Sequence, residues 1–287
     1  MTRSTALWLA LPGLALLLVL MILPALAVLP VALTDWEFGK PGIGFAGLDN
    51  FRELAGDRRF ASGLGNTLVY MAAVVPVSLL LGFIIANAIQ GAGALGSFYR
   101  AAHFLPVVAT MSAMAIAWDA LLHPTIGLLN HMLGWFGIAP QGWLMDEHLV
   151  MPTLIVIGVW QNIGFAIVMF LAALRTVPRD LLDAAAIDGA VNPWDRMRTV
   201  VLPLIGPVAL FVGVITAKRA LSVFDTVAVL TKGGPGAASE VMLHLLYVES
   251  FERLRAGYGA AITCVYLLLL LSLTAGQRLL DKRVHYR

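Results

Sequence analysis

Of 287 residues, 60% are hydrophobic and 13% charged, against about 45–50% and about 25% in an ordinary soluble domain. With a mean hydropathy of +0.86, that composition excludes disordered, collagen-like and disulfide-scaffold chains and leaves a polytopic membrane protein. The net charge of +2 supplies no basic block for nucleic acid, and a single cysteine, Cys264, forms no internal disulfide.

Intervals free of Asp, Glu, Lys and Arg measure the spans; the longer ones are 4–34, 60–99, 101–118, 120–145, 148–174, 199–217 and 256–277. A helix needs about 20 mainly apolar residues to cross a hydrocarbon core of about 30 Å. Five candidates result, near 7–33, 64–89, 101–118, 150–174 and 258–277. Arg3 and the triplet Ala25-Leu26-Ala27 give the first one the look of a secretory signal. Its apolar run reads on to Leu33, about twice the usual signal core, so it is expected to stay as an uncleaved first helix. The third candidate runs past Asp119 toward Leu122. Segment 120–145 is punctuated by Pro124, Gly127, Asn130, Gly134, Gly137 and Pro140, which predicts a short amphipathic helix at the interface, not a crossing. Segment 199–217 continues through Lys218 and Arg219 to about Leu230 and makes a sixth span.

The expected fold is therefore all-α, with six transmembrane helices in one domain covering 1–287. Every crossing is taken as helical, because unpaired backbone groups are too costly in lipid. With both termini cytoplasmic, the inner segments carry ten Lys and Arg residues and the outer ones seven, a bias in the direction of that orientation.

Chemistry-bearing motifs are missing. The Gly39-Lys40 pair is followed by Pro41, so no phosphate-cradling loop is read, and the six histidines show no zinc spacing. No nucleophile elbow occurs either. The chain is expected not to be an enzyme and to hold no cofactor, its work being driven by another protein.

Segment 177–207 is the most informative. Pro178 suits a first helical position and Asp180 the positive end of the helix dipole. Ala184, Ala185 and Ala186 keep one stretch slim. Asp188-Gly189 then stops the helix, Gly189 being able to take a left-handed conformation, and Asn192-Pro193 restarts it as N-cap and first residue. Pro203 and Pro207 mark the entry to span five. Two readings stay open on spacing alone: a re-entry loop between crossings, or a docking helix for a soluble partner.

The string Asp183-Ala184-Ala185-Ala186-Ile187-Asp188-Gly189-Ala190, followed by Leu202-Pro203, resembles the EAA loop of ATP-binding-cassette importer permeases. More narrowly, the chain resembles the sugar-type permeases of the maltose and glycerol-phosphate importers over nearly its whole length. Gly47-Leu48-Asp49-Asn50-Phe51, Asn66-Thr67, Phe104-Leu105-Pro106, Trp118 and Pro124-Thr125-Ile126-Gly127-Leu128-Leu129-Asn130 match in order. Trp160, Gly164-Phe165, Leu171-Ala172, Phe224-Asp225, Leu230-Thr231-Lys232-Gly233-Gly234-Pro235 and Gly257-Tyr258 complete the set. Two departures are Asp183, where the family usually has Glu, and Met197, where it usually has Phe.

The resemblance implies a type I importer permease fold in a bacterial inner membrane. It implies partners: a homologous second permease, an ATPase dimer that holds ATP and magnesium, and an extracytoplasmic solute-binding protein. The loop at about 177–203 would couple this chain to that ATPase through Asp183, Ala184, Ala185, Asp188 and Gly189. Alternating access for a sugar or sugar derivative follows from the same resemblance; the alternative is an ion-coupled secondary transporter of small polar solutes.

Polar residues within spans are the candidates for the solute path. Lys218 and Arg219 lie roughly 16 Å along the helix from Pro207, at a depth where a cation costs about 2.5–3.5 kcal/mol. They either line the path, favouring a phosphate, sulfonate or carboxylate on the solute, or snorkel to the outer interface from a tilted or broken helix. Asp225 lies two turns further on. Trp160, Gln161 and Asn162 in span four could stack on and bond a sugar, or serve as helix-to-helix glue.

Overall fold

The computed structural model describes residues 3–90, 99, 103, 105–106 and 110–284. In chain order its helices are α1 (Leu9–Ala32), α2 (Asp49–Gly56), α3 (Arg58–Ile89), α4 (Met111–Leu122), α5 (Leu128–Trp135), α6 (Val150–Arg175), α7 (Arg179–Ile187), α8 (Leu202–Leu221), α9 (Asp225–Leu230), α10 (Met242–Tyr247) and α11 (Ala256–Val284). Among the described residues the only extended pairing is an isolated antiparallel bridge between Thr34 and Phe45.

Among the described residues five stretches are long and apolar enough to cross a bilayer: α1, α3, α6, the run Pro193–Leu230 that contains α8 and α9, and α11. The 12 residues of α4 rise about 18 Å and end at Leu122 as expected. Most of the predicted third span upstream of Thr110, with Arg100 and Phe104, lies outside the described residues. The eight residues of α5 reach about 12 Å, too short for a crossing, in agreement with the interfacial helix predicted there.

Boundaries depart from the charge-free ruler at α11, which runs on past Arg278 to Val284, beyond the predicted 277, and at α3. α3 begins at Arg58, six residues before the predicted 64, because Asp57 caps it: its carboxylate accepts the Arg59 N–H at 2.7 Å and the Tyr258 hydroxyl at 2.6 Å. Burial pushes the Asp57 carboxyl up, but these bonds and the Phe60 N–H outweigh it and hold the group below its ordinary range.

The chain divides into two compact units. The first comprises Met1–Ala61 and Met242–Leu269. Asn50 ties the end of α1 to α2 by donating to the Ala32 and Thr34 carbonyls at 2.9 and 2.8 Å. The Gly257 N–H donates to the Trp36 carbonyl at 2.9 Å and the Phe38 N–H to that of Leu254 at 2.8 Å, which anchors the strand-like turn on the start of α11. Buried Glu249 pairs with Arg253 at 2.7 Å and Arg255 at 3.5 Å, and Arg255 continues to Glu53 at 2.6 Å. Burial lowers the Arg255 pKa, but the Glu53 bond and the charges of Glu53 and Glu249 more than offset this and raise it. None of α1's apolar window is buried, the surface of a helix whose surroundings are lipid or another chain.

The second unit comprises Ser62–Val241 and Leu270–Arg287. Its centre is α6, 61% of whose apolar window is buried. Ile163, Ala166, Ile167, Phe170 and Leu174 of α6 pack with Ala86 and Ile89 of α3 and with Val201, Ile205 and Val212 along α8. The α3–α6 crossing is close because Gly82 faces Ala166: a Cβ at Gly82 would stand 2.5 Å from the Ala166 Cβ. Without a hydrophobic drive between helices in lipid, such small-residue contact supplies the packing.

Asn130, 5% exposed, organises the α4–α6 connection. Its Nδ2 donates to the Pro124 and Gln141 carbonyls at 3.0 and 2.9 Å, and its Oδ1 accepts from the Gln141 N–H at 3.0 Å and Trp143 Nε1 at 2.9 Å. Asn130→Ala orphans several of these buried groups and is expected to destabilise by about 2–4 kcal/mol. Gln141→Ala keeps the backbone bonds and is expected to cost less than about 0.5 kcal/mol. Thermal unfolding midpoints of the two variants check the difference; equal midpoints would remove the hub.

Candidate functional site

The first constellation is the turn between α6 and α8. Pro178 is extended (φ −66°, ψ 135°) and caps α7, one residue before the position predicted for it, and Asp180 stands in the first turn. No residue of α7 is buried. The helix ends as predicted: Gly189 takes φ +97°, its N–H donates to the Ala186 carbonyl at 3.3 Å, and the Ala190 N–H donates to that of Ala185 at 2.9 Å. That pair of bonds is a Schellman motif, which satisfies the orphan carbonyls of a helix end. Asn192 then caps the next turn, its side chain accepting the Trp194 N–H at 3.1 Å. Pro203 opens α8, whereas Pro207 lies inside it.

The result is a hydrogen-bonded knuckle whose apolar side chains are left uncovered by the described residues. Ile187 is 87% exposed, Val191 77% and Trp194 64%. Ala184, Ala185 and Asp188 line a groove of about 520 Å³ whose far wall is Val200, Pro203 and Leu204. Asp183 is exposed and, like Asp188, its carboxylate makes no hydrogen bond or ion pair among the described residues. Aliphatic and indole side chains this exposed, beside free carboxylates, are unusual on a surface that faces water alone.

The second constellation is a polar cavity of about 290 Å³ lined by Gln161, Asn162, Arg219 and Asp225, with Tyr70, Ser222 and Thr226. Its existence depends on a break in the fifth span. α8 stops at Leu221 and α9 starts at Asp225, with Phe224 at φ −142°, ψ −62° between them. Val223 and Val227 hold the break in place by burying themselves with Tyr70, Val74 and Leu154. Lys218 and Arg219 thereby fall in the last turn of α8, where the negative end of the helix dipole favours cations. The Arg219 guanidinium lies 4.8 Å over the Phe165 ring, a stacking that orients it and leaves its N–H donors free.

Four of the six predicted path residues thus meet at one cavity. The other two do not line it: Trp160 stacks edge-on against Trp118, centroids 5.4 Å apart, and Lys218 is half-buried on the same helix end. Asn162 donates one amide N–H to the Gly158 carbonyl of its own helix at 2.8 Å, which leaves its oxygen and its second N–H for a ligand. Tyr70, Ser222 and Thr226 in the cavity, and Ile187, Val191 and Trp194 on the knuckle, are not among the predicted site residues. The helix start after the break carries no side-chain cap, Phe224 standing at the N-cap and Asp225 at the first helical position.

Residues 1–286 match the family described as binding-protein-dependent transport system inner membrane component. A protein of Pyrococcus horikoshii described as a probable ABC transporter permease is 31% identical over 243 residues, 84% of this chain and 83% of the relative. The sn-glycerol-3-phosphate transport system permease protein of Agrobacterium fabrum is 31% identical over 248 residues, covering 84% and 83%. Among solved structures, a bacterial alginate ABC transporter in complex with an alginate pentasaccharide-bound periplasmic protein contains a chain of the same fold, with a TM-score of 0.83 at 21% identity over 98% of this chain and 96% of that one.

Proposed function

Because the chain belongs to the family of binding-protein-dependent transport system inner membrane components, we propose that it forms half of the membrane pathway of an ATP-driven importer for a sugar or sugar derivative. It is an integral membrane permease subunit; the partners and roles that follow are our reading. A homologous second permease completes the pathway, a solute-binding protein delivers cargo from outside, and an ATPase dimer carries ATP and magnesium. Both termini lie on the ATPase side, and 1–287 acts as one permease domain.

The observation that carries the reading is the knuckle: a nine-residue helix with no buried residue, closed by a Schellman turn and flanked by bare Ile187, Val191 and Trp194. A solvated connection has no use for such a surface, whereas a helix seated in a groove of the ATPase does. Closure of the ATPase dimer would move Asp183–Gly189 as a unit and, through Pro203 at the head of α8, the broken span that shapes the cavity. Hydrolysis would then reset the pathway. A relative of 31% identity is named for the anion sn-glycerol-3-phosphate, and Arg219 at the cavity suits an anionic cargo by the same chemistry.

Reconstitution of the chain with its companion permease, ATPase and binding protein in proteoliposomes tests the whole. Hydrolysis is expected to rise only when solute-loaded binding protein is added, with uptake following it. Uptake driven by an imposed ion gradient without ATP would establish the secondary transporter instead.

A further inference from the structure

The inner face of α7 closes a second cavity, of about 580 Å³, that differs in character from both constellations above. Arg175, Arg179 and Arg196 line it together with the carboxamides of Asn87 and Gln90, and no Asp or Glu does. The carboxylates nearest in sequence, Asp180, Asp183 and Asp195, are exposed on the same segments. Arg175 and Arg179 make no hydrogen bond or ion pair among the described residues. Arg196 donates from Nη2 to the Val191 carbonyl at 3.2 Å, yet its Nε is buried without an acceptor. A buried guanidinium N–H without an acceptor, in a cavity also lined by two exposed arginines that are unpaired among the described residues, lacks one thing, an anion.

The floor states what the anion is attached to. Leu174, Val177, Leu182, Met197 and Val201 supply it. The cavity lies where two apolar spans stop, α3 at Ile89 and α6 at Arg175, the end of a span being where lipid headgroups are met. Arg guanidinium groups and aliphatic side chains lining one cavity at the end of a span match a phosphate that carries acyl chains. We propose that this cavity is a binding site for a phosphate group, supplied by the headgroup of an anionic phospholipid in the leaflet next to α7.

Leu182 and Arg179 face this cavity while Leu181, Ala184 and Ala185 face the groove on the other side. A seated lipid would therefore steady the coupling helix from behind without competing for its docking surface. The site holds or fails independently of the importer reading.

Native mass spectrometry of the full chain, titrated with phosphatidylglycerol or phosphatidylcholine, provides the test. Phosphatidylglycerol is expected to bind preferentially, and the Arg175→Gln/Arg179→Gln/Arg196→Gln variant to bind it at least about tenfold more weakly, the scale of a lost charge-assisted bond. Arg52→Gln, on α2, is expected to leave the preference intact. If the triple variant fails to fold, Arg175→Gln alone, at an exposed helix end, is expected to show part of the loss. Equal binding of the two lipids, or an unchanged preference in the folded variants, would overturn the proposal. Binding of inorganic phosphate with the same arginine dependence, in the absence of any lipid preference, would assign the site to a soluble phosphate and overturn the lipid.

Discussion

Gly189→Val is expected to weaken attachment of the ATPase and its stimulation by loaded binding protein, while leaving the membrane helices folded. Gly189 sits at φ +97°, a conformation that costs a residue with a side chain roughly 1–2 kcal/mol and a β-branched one more. Among the described residues nothing beyond its chain neighbours lies within 4 Å of the Cβ that valine would add, so the penalty is one of backbone and not of internal collision. To escape it the turn must abandon the Ala186 and Ala190 hydrogen bonds that close the Schellman motif. The knuckle then has to be restored at the moment of docking, and the 1–2 kcal/mol reappears as a loss of about 5- to 30-fold in affinity for the ATPase. Gly189→Asn separates the two components, because asparagine tolerates the left-handed region, and it is expected to retain most of the affinity. Affinity for the ATPase in detergent, and stimulated hydrolysis in proteoliposomes, read both variants. Wild-type behaviour of Gly189→Val in both assays would remove this turn from the coupling path.

The knuckle was legible in the sequence because its determinants are local. Asp188-Gly189 and Asn192-Pro193 specify a helix end and a helix start within a few residues, and the structure places both there. Spans were legible for a different reason: crossing a bilayer sets a length, and charge-free runs measure it. The same ruler hid the true start of α3, since Arg58 and Arg59 belong to its first turn and a charge count discards them. Nor could hydropathy show the break at Ser222–Phe224. Val223 and Phe224 continue the apolar run, and what marks the break in the structure is tertiary: Val223 and Val227, on either side of it, are buried with Tyr70 and Leu154. Gln161, Asn162, Arg219 and Asp225 stood out as polar residues in apolar helices, whereas Tyr70 looks like any core aromatic until a neighbouring helix breaks beside it.

Because that break brings Arg219 and Asp225 to the same cavity, removing one charge or the other should move solute selection in opposite directions. With both present the cavity wall is neutral overall, its cation set by the Phe165 ring and its anion by the first turn of α9. Arg219→Ala leaves the Asp225 carboxylate alone. At about 5 Å and an effective dielectric constant of roughly 20–80, one unit charge is worth about 1–3 kcal/mol to an anionic solute. The ratio of anionic to neutral solute uptake is therefore expected to fall by about 5- to 150-fold. Asp225→Ala should raise the same ratio, and Arg219→Lys should fall between wild type and alanine, since the charge survives but the planar stacking on Phe165 does not. Lys218→Ala, one residue away but outside the cavity lining, should change it least. Competitive uptake of a sugar phosphate and its parent sugar, measured in proteoliposomes holding the complete transporter, gives the ratio directly. Losses of the two solutes in equal proportion after Arg219→Ala, with no rise after Asp225→Ala, would show that the cavity does not select by charge and would reduce Arg219 to an anchor on Phe165.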